Sequence, residues 1–286
     1  MIPSKFDYER ANTIDEAIKY LVEYGDEAKL LAGGHSLLPA MKLRLNNPVK
    51  LVDINRIPEL KYIKEEDDTI CIGAATTHYE IESSELIKGK ISMLSQIAGS
   101  IGDVQVRNMG TIGGSLAHAD PAADWPAGML ATDAVLVLKG PDGLRTINAH
   151  DFFLGLYTTS LAENEIITEI RIPIPHGNTG TAYTKCMQPA SRFALVGCAA
   201  IISKNNGLCD NVKLAFTGVS ANAFRDAAVE EALTGHAPDV DNITIAAEKA
   251  ALDADVLSDH FASEDYRRHL AKVYAKRALM EAADNL

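Results

Sequence analysis

Two segments of the sequence pair glycines with hydroxyl residues in a similar layout, Ala32-Gly33-Gly34-His35-Ser36 and Thr111-Ile112-Gly113-Gly114-Ser115. Glycine lets backbone N–H groups converge in conformations closed to other residues, and such a nest, with a helix N-terminus behind it, holds phosphate oxygens. Ser36, Thr111 and Ser115 add hydroxyl donors. The chemistry suggested is the binding of a pyrophosphate without a large positive charge. Either pair alone also reads as a tight turn at a strand end, and it is the repeated layout that favours a ligand. The sequence contains no G-x-x-x-x-G-K-[ST] and no G-x-G-x-x-G. The P-loop and Rossmann readings therefore lack their signatures, and a dinucleotide would be held by some other fold.

Other reactive side chains give weaker patterns. Cys71, Cys186, Cys198 and Cys209 stand far apart with no C-x-x-C pair, so neither a disulfide framework nor cluster or zinc spacing is present. They read as small buried hydrophobes. His118, Asp120 and Asp124 lie close in sequence, but a hard ion wants more oxygens and zinc more His or Cys, so no metal is expected. No acid–base set for activating a substrate stands out, and no catalytic residue is assigned.

The elements that must position the glycine pairs follow from periodicity. Thr13 and Glu16 form a capping box for a helix with Ile14, Ala17, Ile18, Leu21 and Val22 on one face and Gly25 just past its end. A buried strand over 29–32 runs into the first glycine pair, a helix over 37–45 follows with Pro39 in its first turn, and 51–54 is the next strand. From 57 to 174 the pattern predicts a hairpin at 65–68, a helical stretch over 79–101, a turn at the second glycine pair, a helix over 124–131, and strands over 135–138 and 166–172. Beyond the proline-rich segment 173–178 come three strands, over 181–187, 194–203 and 212–219, with Asn205-Asn206-Gly207 as a hairpin turn. Helices over 226–233, 243–252 and 265–283 close the chain, the last with Tyr266, Leu270, Val273 and Tyr274 on one side. This is an α+β pattern, expected as three units: 1–55, 56–176, and a C-terminal 177–286 of a three-stranded antiparallel sheet and a helical bundle.

With 286 residues, 47% of them hydrophobic and 23% charged, each unit can bury a core. Against 39 acidic side chains there are 27 basic ones, and the formal charge of −12 repels phosphate backbones and anionic membrane surfaces. Nucleic acid is not an expected partner. The longest apolar stretch, 194–202, is about half of what a membrane span needs, so a cytoplasmic protein is expected.

Three runs carry a resemblance. Ala32-Gly33-Gly34-His35-Ser36-Leu37, Gln105-Val106-Arg107-Asn108-Met109-Gly110-Thr111-Ile112-Gly113-Gly114-Ser115 and Asp120-Pro121-Ala122-Ala123-Asp124 resemble the FAD-binding medium subunit of molybdenum hydroxylases, the xanthine dehydrogenase and aerobic carbon monoxide dehydrogenase family. The opening Met1-Ile2-Pro3 and Phe6-Asp7-Tyr8, the Glu165-Ile166-Ile167 strand start and the strand-then-helix C-terminus extend the likeness to the whole chain. The resemblance implies a flavin fold of the vanillyl-alcohol oxidase (PCMH) type, with two N-terminal subdomains gripping FAD and a C-terminal domain over the flavin end. It also implies partners: a small subunit with two [2Fe–2S] clusters and a large subunit with the molybdenum cofactor, assembled as a dimer of heterotrimers. This chain would take electrons from the clusters and pass them to an external acceptor. The cysteine-rich loop that 4-hydroxybenzoyl-CoA reductases insert for an extra cluster has no counterpart here.

Carried over by motif, Ala32, Gly33, Gly34, His35, Ser36 and Leu37, with Thr111, Ile112, Gly113, Gly114 and Ser115, would hold the pyrophosphate and adjoining ribose or ribityl oxygens. Asp124 matches an acid that contacts FAD, Ile167 and Lys185 fall at positions lining the cofactor site, and Phe193 lies where the family places a side chain near the isoalloxazine ring. Each has a plainer reading: Asp124 as a helix N-cap, Lys185 as a surface lysine, Phe193 as core, and Arg107 as a surface residue rather than one ordering the second glycine loop or facing a partner. FAD is expected to be noncovalent, with His35 contributing its backbone. Two other functions fit the glycine pairs: a stand-alone FAD-dependent oxidase or reductase, and a non-catalytic nucleotide-binding assembly protein.

Overall fold

In the computed structural model, which describes residues 1–286, strand Ala28–Leu31 lies parallel to Lys50–Asp53, which lies parallel in turn to Asp7–Arg10. The helix Ile14–Tyr24 covers this three-stranded sheet by burying Ala17, Ile18 and Leu21. Thr13 caps it, its Oγ1 accepting from the Glu16 amide at 3.1 Å, while the Glu16 carboxylate reaches one residue further back than expected, to the Asn12 amide at 2.7 Å. Val22 falls off the apolar face and is 57% exposed. The first glycine pair leaves the carboxyl end of Ala28–Leu31 and leads into a short helix, Leu37–Lys42.

The central sheet is antiparallel throughout, in the order Ile63–Glu66, Thr69–Gly73, Ile166–Pro173, Val135–Gly140, Gly143–Asn148. Asp67 and Asp68, both at positive φ (45° and 57°), make its first hairpin, since short carboxylate side chains tolerate the left-handed region. The helical stretch expected over 79–101 is three helices, His78–Ser83, Glu85–Lys90 and Ser92–Ser100, interrupted where Ser84 and Ile91 leave helical backbone. The second glycine pair is not a turn. Gly113 and Gly114 lie inside the helix Ile112–His118, capped by the Thr111 hydroxyl. Helix Trp125–Ala131, buried along its whole length, joins the central core to the C-terminal sheet.

That last sheet is an antiparallel meander of Thr179–Met187, Ala194–Asn205 and Leu208–Thr217. A short fourth strand, Phe224–Arg225, corrects the expected count of three. Asn206 and Gly207 at positive φ (50° and 85°) form the expected hairpin turn. The long helix Glu264–Asp284 buries Leu270, Ala271, Ala275, Ala278, Leu279 and Ala282, whereas Tyr266, expected on the apolar side, is half exposed. Its alanines allow a close approach to the sheet: a Cβ on Gly180 would come within 1.9 Å of the Ala282 carbonyl oxygen. Cys71, Cys198 and Cys209 are buried as expected, while Cys186 is only partly so.

Gly180→Ala should therefore push the terminal helix off the sheet and cost about 1–3 kcal/mol, read as a lowered melting temperature. An unchanged transition would show that the helix shifts without loss.

Candidate cofactor site

The two glycine segments, some eighty positions apart in sequence, meet. A Cβ on Gly33 would lie 2.3 Å from the Met109 carbonyl oxygen and 2.6 Å from Gly110 Cα, so the backbones touch where only glycine fits. On the opposite side a Cβ on Gly114 would contact Ala32 Cβ at 3.7 Å. Gly34 takes φ 73° and turns the chain into the helix Leu37–Lys42. The amides of Gly33, Gly34, His35, Ser36 and Leu37 donate to no protein acceptor. His35 is exposed, and its Nδ1 donates to the Gly33 carbonyl at 2.9 Å. Asn55 secures the strand end by donating from Nδ2 to the Ala32 carbonyl, and its own amide is held by Asp53 Oδ1 at 2.9 Å. Asp53 in turn accepts from the Tyr8 hydroxyl at 2.5 Å.

The second segment is built differently. The Ile112 amide donates to Thr76 O, Gly113 to Ala74 O, Gly114 to Thr111 Oγ1 and Ser115 to Thr111 O. Only the Thr111 amide has no protein acceptor. Gly113 is pressed against Ala74, whose Cβ would be 2.5 Å from an added Cβ, while Gly114 is exposed and Ser115 half-buried. The expectation of two equivalent amide nests is thus corrected: the first segment presents free N–H groups, and the second presents a small-residue surface with its amides already engaged. Thr111 starts a helix at once and takes the Gly114 and Ser115 amides, while the carbonyls of Thr76 and Ala74 take those of Ile112 and Gly113.

Asp124 stands at the N-terminus of helix Trp125–Ala131 but does not cap it. Its buried carboxylate turns inward, Oδ1 accepting from the Tyr183 hydroxyl at 2.5 Å and lying 2.8 Å from Lys185 Nζ. Burial pushes the Asp124 carboxyl up, opposed by the Lys185 ammonium and the Tyr183 hydroxyl. Lys185 is no surface residue, since its side chain is 2% exposed. Ile167 is buried in the central core; the next residue, Thr168, accepts the Ala74 amide at 3.1 Å, and Ala74 in turn accepts the Gly113 amide at 2.9 Å, so the strand that carries Ile167 lies behind the second segment. Phe193 is not core: it is 44% exposed at the tip of the connection between Thr179–Met187 and Ala194–Asn205. Arg107 lies inside the chain's own contacts, with Nε 2.7 Å from Glu82 Oε2 and Nη1 donating to the Ile101 and Gly102 carbonyls. It ties Val104–Met109 to His78–Ser83, directly beside the Met109–Gly110 edge.

The N-terminal part, residues 4–175, matches the family model described as the FAD binding domain in molybdopterin dehydrogenase, and residues 181–282 match the CO dehydrogenase flavoprotein C-terminal domain. The chain is a member of the family of FAD-binding medium subunits of molybdenum hydroxylases. It is 42% identical to the carbon monoxide dehydrogenase medium chain of Hydrogenophaga pseudoflava, over 99% of this chain and 98% of that one. It is 38% identical to the glyceraldehyde dehydrogenase medium chain of Sulfolobus acidocaldarius, over 99% and 100%. A solved chain of carbon monoxide dehydrogenase from Hydrogenophaga pseudoflava superposes with a TM-score of 0.96 at 43% identity, covering 100% of this chain and 99% of that one. The medium subunit is accordingly an α+β oxidoreductase subunit with an FAD-binding domain.

The medium subunit's first segment suits the diphosphate of FAD, because a run of amides without a protein acceptor offers neutral donors to anionic oxygens. FAD, when bound, would supply a group able to accept electrons singly or in pairs. One supporting pair escaped the sequence reading. His78, buried beneath Gly110, accepts from Trp125 Nε1 through Nδ1 at 3.1 Å, and its own amide donates to the Gly110 carbonyl at 2.9 Å. A Cβ on Gly110 would be 2.8 Å from His78 Nε2. The Thr77/Glu80 capping box that starts this helix was the available signal.

Burial, with smaller repulsion from His35 and Arg107, lowers the His78 pKa to about 3, so the ring is neutral in the fold. The unfolded chain takes up this proton near pH 6.5 and the folded one does not, so stability present above pH 6.5 is lost as pH falls. Between pH 7 and pH 5 the medium subunit should lose about 2 kcal/mol from this group. His78→Gln should flatten that slope in denaturant titrations; an equal slope in both proteins would refute a neutral buried imidazole.

Proposed function

We propose that this medium subunit holds FAD noncovalently across the junction of its two glycine segments, takes electrons from [2Fe–2S] clusters of a small partner subunit and passes them to an external acceptor. The observation that carries the reading is the contact of Gly33 with Met109 and Gly110, which makes one continuous cradle of two segments. In this reading the amides of Gly33 to Leu37 bind the diphosphate, with Ser36, Thr111 and Ser115 lending hydroxyls. Ala32 and Gly114 shape the surface that admits a flat, extended molecule, and the buried Ile112 and Gly113 back it. His35 contributes its backbone while its ring folds onto the Gly33 carbonyl. Phe193, exposed beside Arg192, shields the isoalloxazine from water. Asp124, Ile167 and Lys185 lie behind that end of the site.

Substrate oxidation belongs to a large subunit bearing the molybdenum cofactor, in a dimer of heterotrimers in the cytoplasm. One observation supports that division. Relatives of nearly full coverage are named for substrates as different as carbon monoxide and glyceraldehyde, so the common fold does not choose the substrate.

The full chain should purify with one FAD, visible by its absorbance and released into the supernatant on acid precipitation. Gly33→Val, which drives a branched side chain into the Met109 carbonyl, should weaken FAD at least tenfold. Flavin left with the acid pellet would overturn noncovalent binding, and full-rate reduction of the acceptor by flavin-stripped complex would overturn the relay.

A further inference from the structure

Lys185 concentrates more of the molecule's order than its place on an edge strand requires. An ammonium has three N–H donors. Those of Lys185 face Asp124 Oδ1 at 2.8 Å, the Ser100 carbonyl at 2.8 Å and the Arg192 carbonyl at 2.7 Å. The three acceptors belong to three different segments: the N-terminus of helix Trp125–Ala131, the last residue of helix Ser92–Ser100, and the tip between two strands of the C-terminal sheet. No donor remains for a ligand.

The tip needs such an anchor. Arg192 sits at φ 61°, a left-handed conformation that an arginine adopts only under constraint. Local bonds curl the tip on itself: Arg192 N donates to Gln188 O at 2.8 Å, and Gln188 Oε1 accepts from the Ala190 and Ser191 amides at 2.7 and 2.6 Å. Only two hydrogen bonds fix it to the rest of the molecule. One is the Ala194 amide on Ala122 O at 3.2 Å, and the other is Lys185 on Arg192 O. The residue between them is Phe193.

We propose that Lys185 is a positioning residue for the flavin end of the site: it holds the Arg192–Phe193 turn in place and acts on the flavin through Phe193, not as a direct ligand. The proposal rests on the reading that places Phe193 against the isoalloxazine. Removing Lys185 alone would strand the buried Asp124 carboxylate and destabilise the fold, so the informative protein is the full chain carrying D124N and K185M together. Hydrogen exchange at the amides of Gln188, Arg192 and Ala194 should rise at least tenfold. The affinity for FAD should stay within about fivefold of wild type, because the amides of Gly33 to Leu37 are untouched. The visible spectrum of bound flavin should shift in the same direction as in F193A.

K185R, whose planar fork cannot reach three acceptors set around a point charge, should give an intermediate exchange rate, and it carries the test if the double variant does not fold. Unchanged exchange in the tip overturns the proposal, and a hundredfold loss of FAD with that unchanged exchange would make the ammonium a direct ligand. A raised exchange rate together with an F193A spectrum identical to wild type would leave the anchoring standing and refute the placement of Phe193 instead.

Discussion

The backbone of Gly33 lies against the backbone of Met109 and Gly110 so closely that any side chain at position 33 would overlap it. Everything at the site depends on that approach. The two segments come from different layers, one leaving a parallel strand of the N-terminal sheet and the other leading into the helix that follows it beside the central sheet. Neither sheet alone encloses anything. Their edges make a cradle only where the chains meet without intervening atoms. His78 and Trp125 support the contact from below, and Arg107 fixes the helix that delivers Met109.

Within that cradle the sides do different work. The first segment has unpaired amides because Gly34, at positive φ, turns the chain before the next helix can use them. The second has four of its five amides already taken, by Thr111 and by the carbonyls of Thr76 and Ala74. A ligand bound between them meets donors on one side and a preformed wall on the other, which limits the ordering that binding would otherwise require.

Much of this was legible in the sequence. Glycine punctuation, hydroxyl spacing and the alternation of strand and helix marked both segments and most elements, because those features are local. What escaped was set by tertiary contact. Gly113-Gly114 has the composition of a turn, yet Thr111 caps a helix there. Lys185 reads as a surface residue on an edge strand, and only the folded chain shows three acceptors converging on it. Phe224–Arg225 is too short to carry a period and is a strand only because Leu208–Thr217 offers it a ladder. Tyr266 was placed on the buried side by helical spacing, but it stands in the first turn of the helix and is half exposed, while the buried line runs through Arg267, Leu270, Ala271 and Ala275.

The charge distribution gives the arrangement its logic. A chain with a formal charge of −12 is a poor host for a diphosphate if long-range potential is what counts. Amide donors avoid that difficulty: their attraction is short-ranged, directional and strongest toward ionised acceptors. The same amides link ligand to fold. The free N–H groups of Gly33 to Leu37 lie half-exposed or exposed at the meeting point of two layers, and an anionic oxygen that takes them up gains charge-assisted hydrogen bonds from the first segment. A ligand that binds the folded state alone stabilises it by mass action, so filling the cradle also strengthens the contact between Gly33 and Gly110 that creates it.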